Sequence, residues 1–174
     1  MSDIQLTPTS YIVLGLLRMA GPSTPYELKQ AVSLSVGRIW SVPHSQLYRE
    51  PDRLTRAGYV TVERERSGRR RKVYSLTETG REALAEWLGE TTQELPELRD
   101  IATLKLFFGA DASPLADVQA EAHRKRLAEY ESYLEALGPW DASKGPRAPW
   151  VGLEAGIRYE QQWIDYWETQ RSEG

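Results

Sequence analysis

Residues 43–76 read PHSQLYREPDRLTRAGYVTVERERSGRRRKVYSL, and the spacing of their apolar residues changes partway along. The first part predicts a helix from about Pro43 to Ala57, with Leu47 and Leu54 on one face and Gly58 just past its end. The second part alternates between apolar and polar residues, which predicts two strands around a tight turn, at 59–66, 67–68 and 72–76.

Helix caps stand on both sides of this stretch. Thr7 precedes a proline at the first position of one helix, and Thr24 with Glu27 forms the capping box of a second. Either Thr77 or Thr79 caps a further helix after the hairpin. The short step from the second helix to the third is the spacing of a helix-turn-helix, and the hairpin behind it is placed as a wing.

Charge is distributed unevenly along the chain, whose net charge is −3. Residues 1–90 hold 13 Lys and Arg against 10 Asp and Glu, a net charge of +3, whereas residues 91–174 hold 9 against 15, a net charge of −6. The densest basic run surrounds the hairpin tip and comprises Arg64, Arg66, Arg69, Arg70, Arg71 and Lys72. Such a tip suits contact with phosphates or the minor groove. A solvated charge run is the alternative, and charge alone also allows RNA or an acidic protein as the partner.

Polar side chains at the start of the third helix are candidates for reading DNA, because the second helix of a helix-turn-helix enters the major groove. Gln46 can pair with adenine and Arg49 with guanine. His44 is interpreted as a DNA-facing or capping residue. Phosphate contacts are assigned to Ser45, Tyr48 and Arg53 on the helix and to Arg69, Arg70, Arg71 and Lys72 on the wing. Taken singly, each of these can also be an ordinary polar surface residue.

The second half of the chain has a helical pattern throughout. It predicts a short apolar helix at 101–108, a long helix capped by Ser113 and Pro114, a loop at 138–152 and a last helix at 153–170. The apolar stripes of the two long helices are too wide for isolated helices. We therefore expect a homodimer in which this half holds two DNA-reading heads at a fixed spacing.

Four tryptophans of the second half are candidates for binding a small aromatic or hydrophobic effector: Trp140, Trp150, Trp163 and Trp167. Flat aromatic side chains near a dimer cleft could stack on such a ligand, although core and interface packing explains tryptophans equally well. Trp140 and Trp150 are the better candidates because they lie in the predicted loop. Trp163 and Trp167 lie on the stripe of the last helix, where we expect dimer core.

Other classes of function find little support. The chain has no cysteine, and His44 and His123 are far apart in sequence, so we expect no disulfide, no metal site and no cofactor. There is no glycine-rich phosphate loop and no nucleophile to pair with His123, so we expect no enzyme. No stretch approaches the roughly 18 to 20 apolar residues that a bilayer requires, and no signal-peptide pattern is present, so we expect a cytoplasmic protein with no membrane partner.

The first half resembles the PadR family of bacterial transcription regulators. The resemblance covers about residues 10–90 and rests on IVLGLL at 12–17, PYEL at 25–28, WSVPHSQLY at 40–48, AGYV at 57–60 and LTETG at 76–80. The second half is similar to the longer helical domain of the PadR subgroup related to virulence activators, on the helix that carries Tyr159, Glu160 and Trp163.

This resemblance implies a homodimer that binds a near-palindromic operator in double-stranded DNA, usually as a repressor and often released by a small effector. It carries DNA contact over to Tyr48, to the start of the recognition helix and to the wing. Pro51 departs from the pattern, since it stands inside the recognition helix. A proline there removes one backbone hydrogen bond and is expected to kink or reset the helix, at a cost of roughly 3 kcal/mol unless something compensates.

Together these observations predict a mainly α fold with a small β wing. We expect a winged helix-turn-helix in residues 1–90 and a helical dimerisation domain, with effector binding as an option, in residues 91–174. The function expected is a sequence-specific DNA-binding transcription regulator, a homodimeric repressor released by a small aromatic or hydrophobic effector. The alternatives are a winged-helix regulator with no small-molecule ligand and a protein-interaction adaptor that keeps the fold without binding DNA.

Overall fold

The computed structural model describes residues 4–38, 40–65, 70–144 and 147–173. It divides into two compact units, Met1–Glu94 and Leu95–Gly174. The first unit contains α1 (Pro8–Ala20), α2 (Pro25–Leu34), a 3-10 turn (Val36–Arg38), α3 (His44–Ala57), β1 (Val60–Arg64), β2 (Lys72–Leu76) and α4 (Glu78–Gly89). The second contains α5 (Ile101–Phe107), α6 (Ala112–Leu137), a 3-10 turn (Ala142–Lys144) and α7 (Ala148–Glu173). The predicted fold class, mainly α with a small β wing, is confirmed.

The capping boxes of α1 and α2 form as the sequence predicts. The Thr7 side chain accepts a hydrogen bond from the backbone N–H of Ser10, whose hydroxyl accepts one from the backbone of Thr7. Thr24 and Glu27 exchange the same pair of bonds at the start of α2. These bonds satisfy backbone N–H groups that the first turn of a helix leaves unpaired, and they fix where both helices begin.

The wing is an antiparallel pair in which Val60 of β1 lies opposite Leu76 of β2. On its other side, β2 exchanges two backbone hydrogen bonds with Ser23, at 2.9 and 3.0 Å, through Tyr74. The connection between α1 and α2 therefore attaches to the wing, a contact that the sequence does not indicate. Thr77 caps α4 by accepting from the backbone of Gly80, which settles the choice between Thr77 and Thr79.

One apolar core joins α1, α2, α3, the wing and α4. Its larger side chains are Val13, Leu14, Leu17, Leu28, Leu47, Leu54, Tyr74 and Leu84. Burial of one leucine stabilises a fold by about 1.5 to 3 kcal/mol. Leu47 and Leu54 are the residues of α3 that the sequence places on one face, and their burial holds that face inward.

Helix α3 runs from His44 to Ala57 without a break, although Pro51 lies inside it. Pro51 is itself buried, and its carbonyl accepts a hydrogen bond of 2.8 Å from the Thr55 hydroxyl. The apolar ring gains contact with the core where the backbone loses one hydrogen bond. The expected reset of the helix at Pro51 is therefore wrong. Gly58, with a φ of 85° in the left-handed region, ends the helix as predicted.

The second unit is built on α6 and α7, which run antiparallel. His123 contacts Glu160, while Asp117 near the start of α6 contacts Arg171 near the end of α7. The fully buried ring of Trp167 packs among small residues that leave room for it: Ala102, Ala116 and Ala120. Within the described residues, no helix is both long and apolar enough to span a bilayer.

Two helix starts in this unit differ from the prediction. The cap of α6 is Asp111, whose carboxylate accepts from the backbone N–H of Ser113, so Ser113 and Pro114 lie inside the first turn. Helix α7 begins at residue 148 rather than 153, which shortens the predicted loop. Pro149 marks a loop in the sequence pattern, but a proline is also tolerated in the first helical turn, where its missing N–H would be unpaired.

Gly80 approaches the wing too closely to carry a side chain. A Cβ there would lie 2.2 Å from the carbonyl oxygen of Tyr59 and 2.8 Å from Cδ1 of Leu76. We expect Gly80→Ala to lower the free energy of unfolding by about 3 kcal/mol, because backbone must shift to relieve the overlap. Urea unfolding followed by circular dichroism measures this loss.

Gly89→Ala, in the last turn of the same helix, is the matched control. A Cβ at Gly89 meets no atom within 4 Å, and alanine is preferred to glycine in a helix by about 1 kcal/mol. This variant should be as stable as the wild type or more so. Equal stability of the Gly80→Ala variant and the wild type would contradict the packing described here.

Candidate nucleic-acid interface

The first two turns of α3 carry a polar surface. All five side chains that the sequence analysis selects there are exposed: His44, Ser45, Gln46, Tyr48 and Arg49. Leu47 lies between them and is buried, which fixes the direction of the exposed face. The N-cap is Pro43, which makes no side-chain cap bond, so the positive end of the helix dipole is left without a side-chain cap.

Helix α1 contacts α3 through a polar network beside the core. The Ser10 hydroxyl donates to Oε1 of Glu50 at 2.6 Å, and Arg53 donates to both, at 2.8 and 2.7 Å. One turn away, the Thr9 hydroxyl donates to Oε1 of Gln46 at 3.3 Å. Burial alone would raise the pKa of Glu50, but the hydrogen bonds from Arg53 and Ser10 outweigh it and the pKa is lowered.

Arg53 is engaged inside the protein. It donates from Nε and Nη2 to Glu50, from Nη2 to Ser10, and from Nη1 to the carbonyl oxygen of Gln5 at 3.2 Å. The hydrogen bond to Glu50 raises the pKa of Arg53 above its ordinary value. These four bonds use most of the N–H groups of a guanidinium. Few donors therefore remain for the phosphate contact predicted for this residue.

A second polar contact ties the wing to α3. Nζ of Lys72 lies 2.8 and 2.7 Å from the two carboxylate oxygens of Asp52, and the Tyr74 hydroxyl donates to Asp52 at 2.8 Å. The hydrogen bond from Lys72 lowers the pKa of Asp52, with help from Tyr74. Burial raises the pKa of Tyr74, and its bond to the carboxylate adds to the effect. The charge of Lys72 is thus balanced within the protein.

The remaining wing cations differ in their surroundings. Arg71 pairs with Glu65 at 2.7 Å, and this bond lowers the pKa of Glu65. Arg70 is exposed, has a φ of 48°, and makes no side-chain bond within the part of the chain that the structure describes. Arg69 belongs to residues 66–69, which lie outside the described residues. Arg70 is therefore the described wing-tip cation whose charge is unbalanced.

The predicted contact residues fall into two described groups. The group with no internal side-chain bond among the described residues comprises His44, Ser45, Tyr48, Arg49 and Arg70. The group bonded within the protein comprises Gln46, Arg53, Arg71 and Lys72. Sequence analysis missed Thr9, Ser10 and Glu50, which position α3. The available signal was that Ser10 stands four residues before Leu14 on the buried stripe of α1, a place normally taken by an apolar residue.

Trp163 and Trp167 belong to an aromatic cluster on one side of α7. The Trp163 ring stacks on His123 at 5.7 Å and meets Tyr159, Tyr166 and Trp167 at 6.1, 5.3 and 6.4 Å between ring centres. Trp167 is fully buried, and its Nε1 has no hydrogen-bond partner among the described residues. A second polar feature borders the cluster, since Nδ1 of His123 lies 2.5 Å from the buried carboxylate of Glu160.

Trp150 and Trp140 have different environments. The placement of Trp150 in a loop is wrong: it lies in the first turn of α7, is buried, and donates from Nε1 to the carbonyl oxygen of Gly138 at 2.8 Å. That bond closes the loop between α6 and α7. Trp140 remains in the loop and is partly exposed, with the guanidinium of Arg147 5.9 Å from its ring centre.

A helix-turn-helix, a two-stranded wing and an exposed polar first turn on the second helix define the first unit as a winged helix. The family described as the transcriptional regulator PadR-like family matches residues 13–86, and the region described as virulence activator alpha C-term matches residues 98–173. The chain belongs to the PadR-like family of transcriptional regulators.

Relatives of similar length include the negative transcriptional regulator PadR of Bacillus subtilis strain 168, which is 28% identical over 171 residues, 91% of this chain and 93% of the relative. Its crystal structure with operator DNA superimposes with a TM-score of 0.83 at 26% identity, over 94% of this chain and 97% of that one. The structure with p-coumaric acid gives 0.79 at 25%, over 94% and 96%. The virulence activator AphA of Vibrio cholerae gives 0.72 at 28%, over 95% and 96%. These relatives are regulators rather than enzymes, in agreement with the expectation from the sequence.

The contact between α1 and α3 makes part of the stability dependent on pH. The pKa of Glu50 is lower in the folded protein than in the unfolded chain, so its contribution is complete above the ordinary value of about 4.3 and is lost as pH falls through the lower folded value. We expect Glu50→Gln to cost about 1 to 3 kcal/mol near neutral pH, and the difference from wild type to shrink below about pH 4. Urea titrations across this pH range measure it.

Glu78→Gln is the control for this experiment. Glu78 forms an exposed ion pair with Arg81, and such pairs contribute about 0 to 1 kcal/mol. This variant should differ little from wild type at any pH. A destabilisation by Glu50→Gln that stays constant into strong acid would show that the carboxylate charge does not matter.

Proposed function

We propose that the chain is a sequence-specific regulator of transcription that binds double-stranded DNA as a homodimeric repressor in the cytoplasm. The observation that carries this proposal is the exposed first part of α3. There Ser45, Tyr48 and Arg49 have no internal side-chain bonds among the described residues, while Leu47 holds the opposite face in the core.

This surface has the shape and chemistry that DNA recognition requires. The major groove admits one α-helix, and the first residues of a recognition helix meet the base edges. Arg49 can donate two bonds to a guanine, and Tyr48 and Ser45 can contact phosphates. Arg70 on the wing adds an unbalanced positive charge. The family and the Bacillus subtilis relative whose structure contains operator DNA support the same assignment.

We propose a homodimer because operator half-sites need two reading heads at a fixed spacing. The second unit offers apolar surface for it. Its exposed large side chains on α5 and α6 are Ile101, Leu104, Phe107, Phe108 and Val118. Contiguous apolar exposure of this kind is typical of an interface. Repression is proposed from the relative that is named a negative regulator.

A second proposal concerns an effector, and the aromatic cluster around Trp163 favours it. The indole Nε1 of Trp167 is buried without a partner, and an unpaired buried donor costs about 1 to 3 kcal/mol. A small planar aromatic compound with an acceptor group could pair with it and stack on the neighbouring rings. The Bacillus subtilis relative has a structure with p-coumaric acid, which belongs to this chemical class.

Charge on the wing tests the DNA proposal. If Arg70 contacts a phosphate, Arg70→Ala should reduce the slope of log affinity against log salt by about 0.9, because one fewer counterion is released. Gel shifts on the DNA upstream of the chain's own gene, at several salt concentrations, measure the slope and the number of chains bound. Two chains per site are expected.

Arg126→Ala is the control, since Arg126 is an exposed cation on α6 with no bonded partner among the described residues. This variant should keep the wild-type slope. A wild-type protein whose binding to DNA shows neither salt dependence nor sequence preference would favour the protein-interaction adaptor instead.

The effector proposal predicts that p-coumaric acid raises the melting temperature and quenches tryptophan fluorescence. A ligand at 100 times its Kd stabilises the folded state by about 2.7 kcal/mol. Trp163→Leu should abolish both effects, whereas Trp40→Phe, a change to an exposed residue of the first unit, should keep them. Silence across a wide panel of planar aromatic compounds would favour the regulator that has no small ligand.

A further inference from the structure

Gln46 lies in the proposed reading surface, but one end of its amide is held by the protein. The Thr9 hydroxyl donates to Oε1 of Gln46 at 3.3 Å. Nε2 makes no hydrogen bond within the described part of the chain, and the residue is exposed. The amide is therefore fixed with its acceptor toward α1 and its two N–H donors on the other side.

Thr9 is held firmly enough to impose this orientation. It is the second residue of α1, and it is buried. The next residue, Ser10, bonds to Glu50 at 2.6 Å, and Gln5 just before α1 accepts from Arg53. Positions 46, 50 and 53 recur on one side of α3 at helical spacing. All three contact residues 5–10, so α3 cannot turn about its axis without breaking these bonds.

The orientation of the amide changes which base it can read. Pairing with adenine uses both ends of the amide, because Oε1 must accept from N6 while Nε2 donates to N7. Guanine presents two acceptors, N7 and O6, and needs donors only. A Gln46 amide that offers its donors alone matches guanine.

We propose that Thr9 is a positioning residue for base recognition, and that through it Gln46 reads an acceptor-only edge, guanine, rather than the adenine expected from the sequence. The proposal rests on the proposed function, since it concerns how the same helix reads DNA. Thr9 itself touches no base, and it acts by holding the Gln46 amide.

Selection from a random double-stranded DNA pool, with the full chain, tests this proposal. The position read by Gln46 is the one whose preference disappears in Gln46→Ala. Wild type should prefer guanine over adenine there by about tenfold, within the range that one bidentate contact gives. Thr9→Val keeps the shape of the side chain without the hydroxyl, and should bring the ratio below about threefold. Thr9→Ser keeps the hydroxyl and should restore the wild-type preference.

A second variant covers the case in which Thr9→Val does not fold, as judged by thermal melting. Gln46→Glu keeps an acceptor for Thr9 but has no N–H donor, and a carboxylate accepts from N4 of cytosine. It should exchange the guanine preference for cytosine, and persistence of guanine would overturn the proposal.

The outcomes separate this proposal from the one on which it rests. Adenine at the Gln46 position in wild type, or an unchanged preference in a folded Thr9→Val variant, would overturn the role of Thr9 and leave DNA binding intact. Failure of wild type to enrich any sequence would overturn the proposed function, and the role of Thr9 with it.

Discussion

The hydrogen bond from Ser10 to Glu50, with Arg53 bonded to both, is the contact on which the setting of α3 depends. A buried carboxylate is tolerated only when its oxygens are paired. Rotation of α3 about its axis would take Glu50 away from Ser10 and expose the cost of an unpaired charged group. The core residues Leu47 and Leu54 hold one face inward, but apolar packing is not directional. The polar contact supplies the direction that packing lacks.

With α3 held in this way, its surface is divided among neighbours. One side faces the core, another contacts α1, and Asp52 binds the wing through Lys72 and Tyr74. What remains for a partner is the first part of the helix, with Tyr48 and Arg49. The wing follows the same logic, since Glu65 and Asp52 balance two of its cations. Its positive field is therefore weaker than its formal charge, and binding by this face depends on few unbalanced cations.

Local signals predicted the elements well, and tertiary contacts explain where they failed. Caps at Thr7 and Thr24 and the change of period after Gly58 depend on neighbours in sequence, so the sequence alone is enough to locate them. The balance of Lys72 by Asp52 joins residues 20 positions apart, and no local pattern reveals it. Pro51 misled for a related reason, because burial of its ring depends on the core. The loop predicted at 138–152 was too long because a proline fits the first turn of a helix as well as a loop.

The second unit shows why tryptophans are hard to interpret from sequence. Trp150 closes the loop between α6 and α7 through its bond to Gly138, which is a structural role. Trp167 fills space left by alanines, yet its buried Nε1 is unpaired among the described residues. Purely structural packing would favour phenylalanine at such a position, because phenylalanine fills a core without a donor to satisfy. A core that tolerates an unpaired donor stores free energy that any acceptor placed beside it would release, and this makes Trp167, rather than the loop tryptophans, the residue through which a ligand would stabilise the unit.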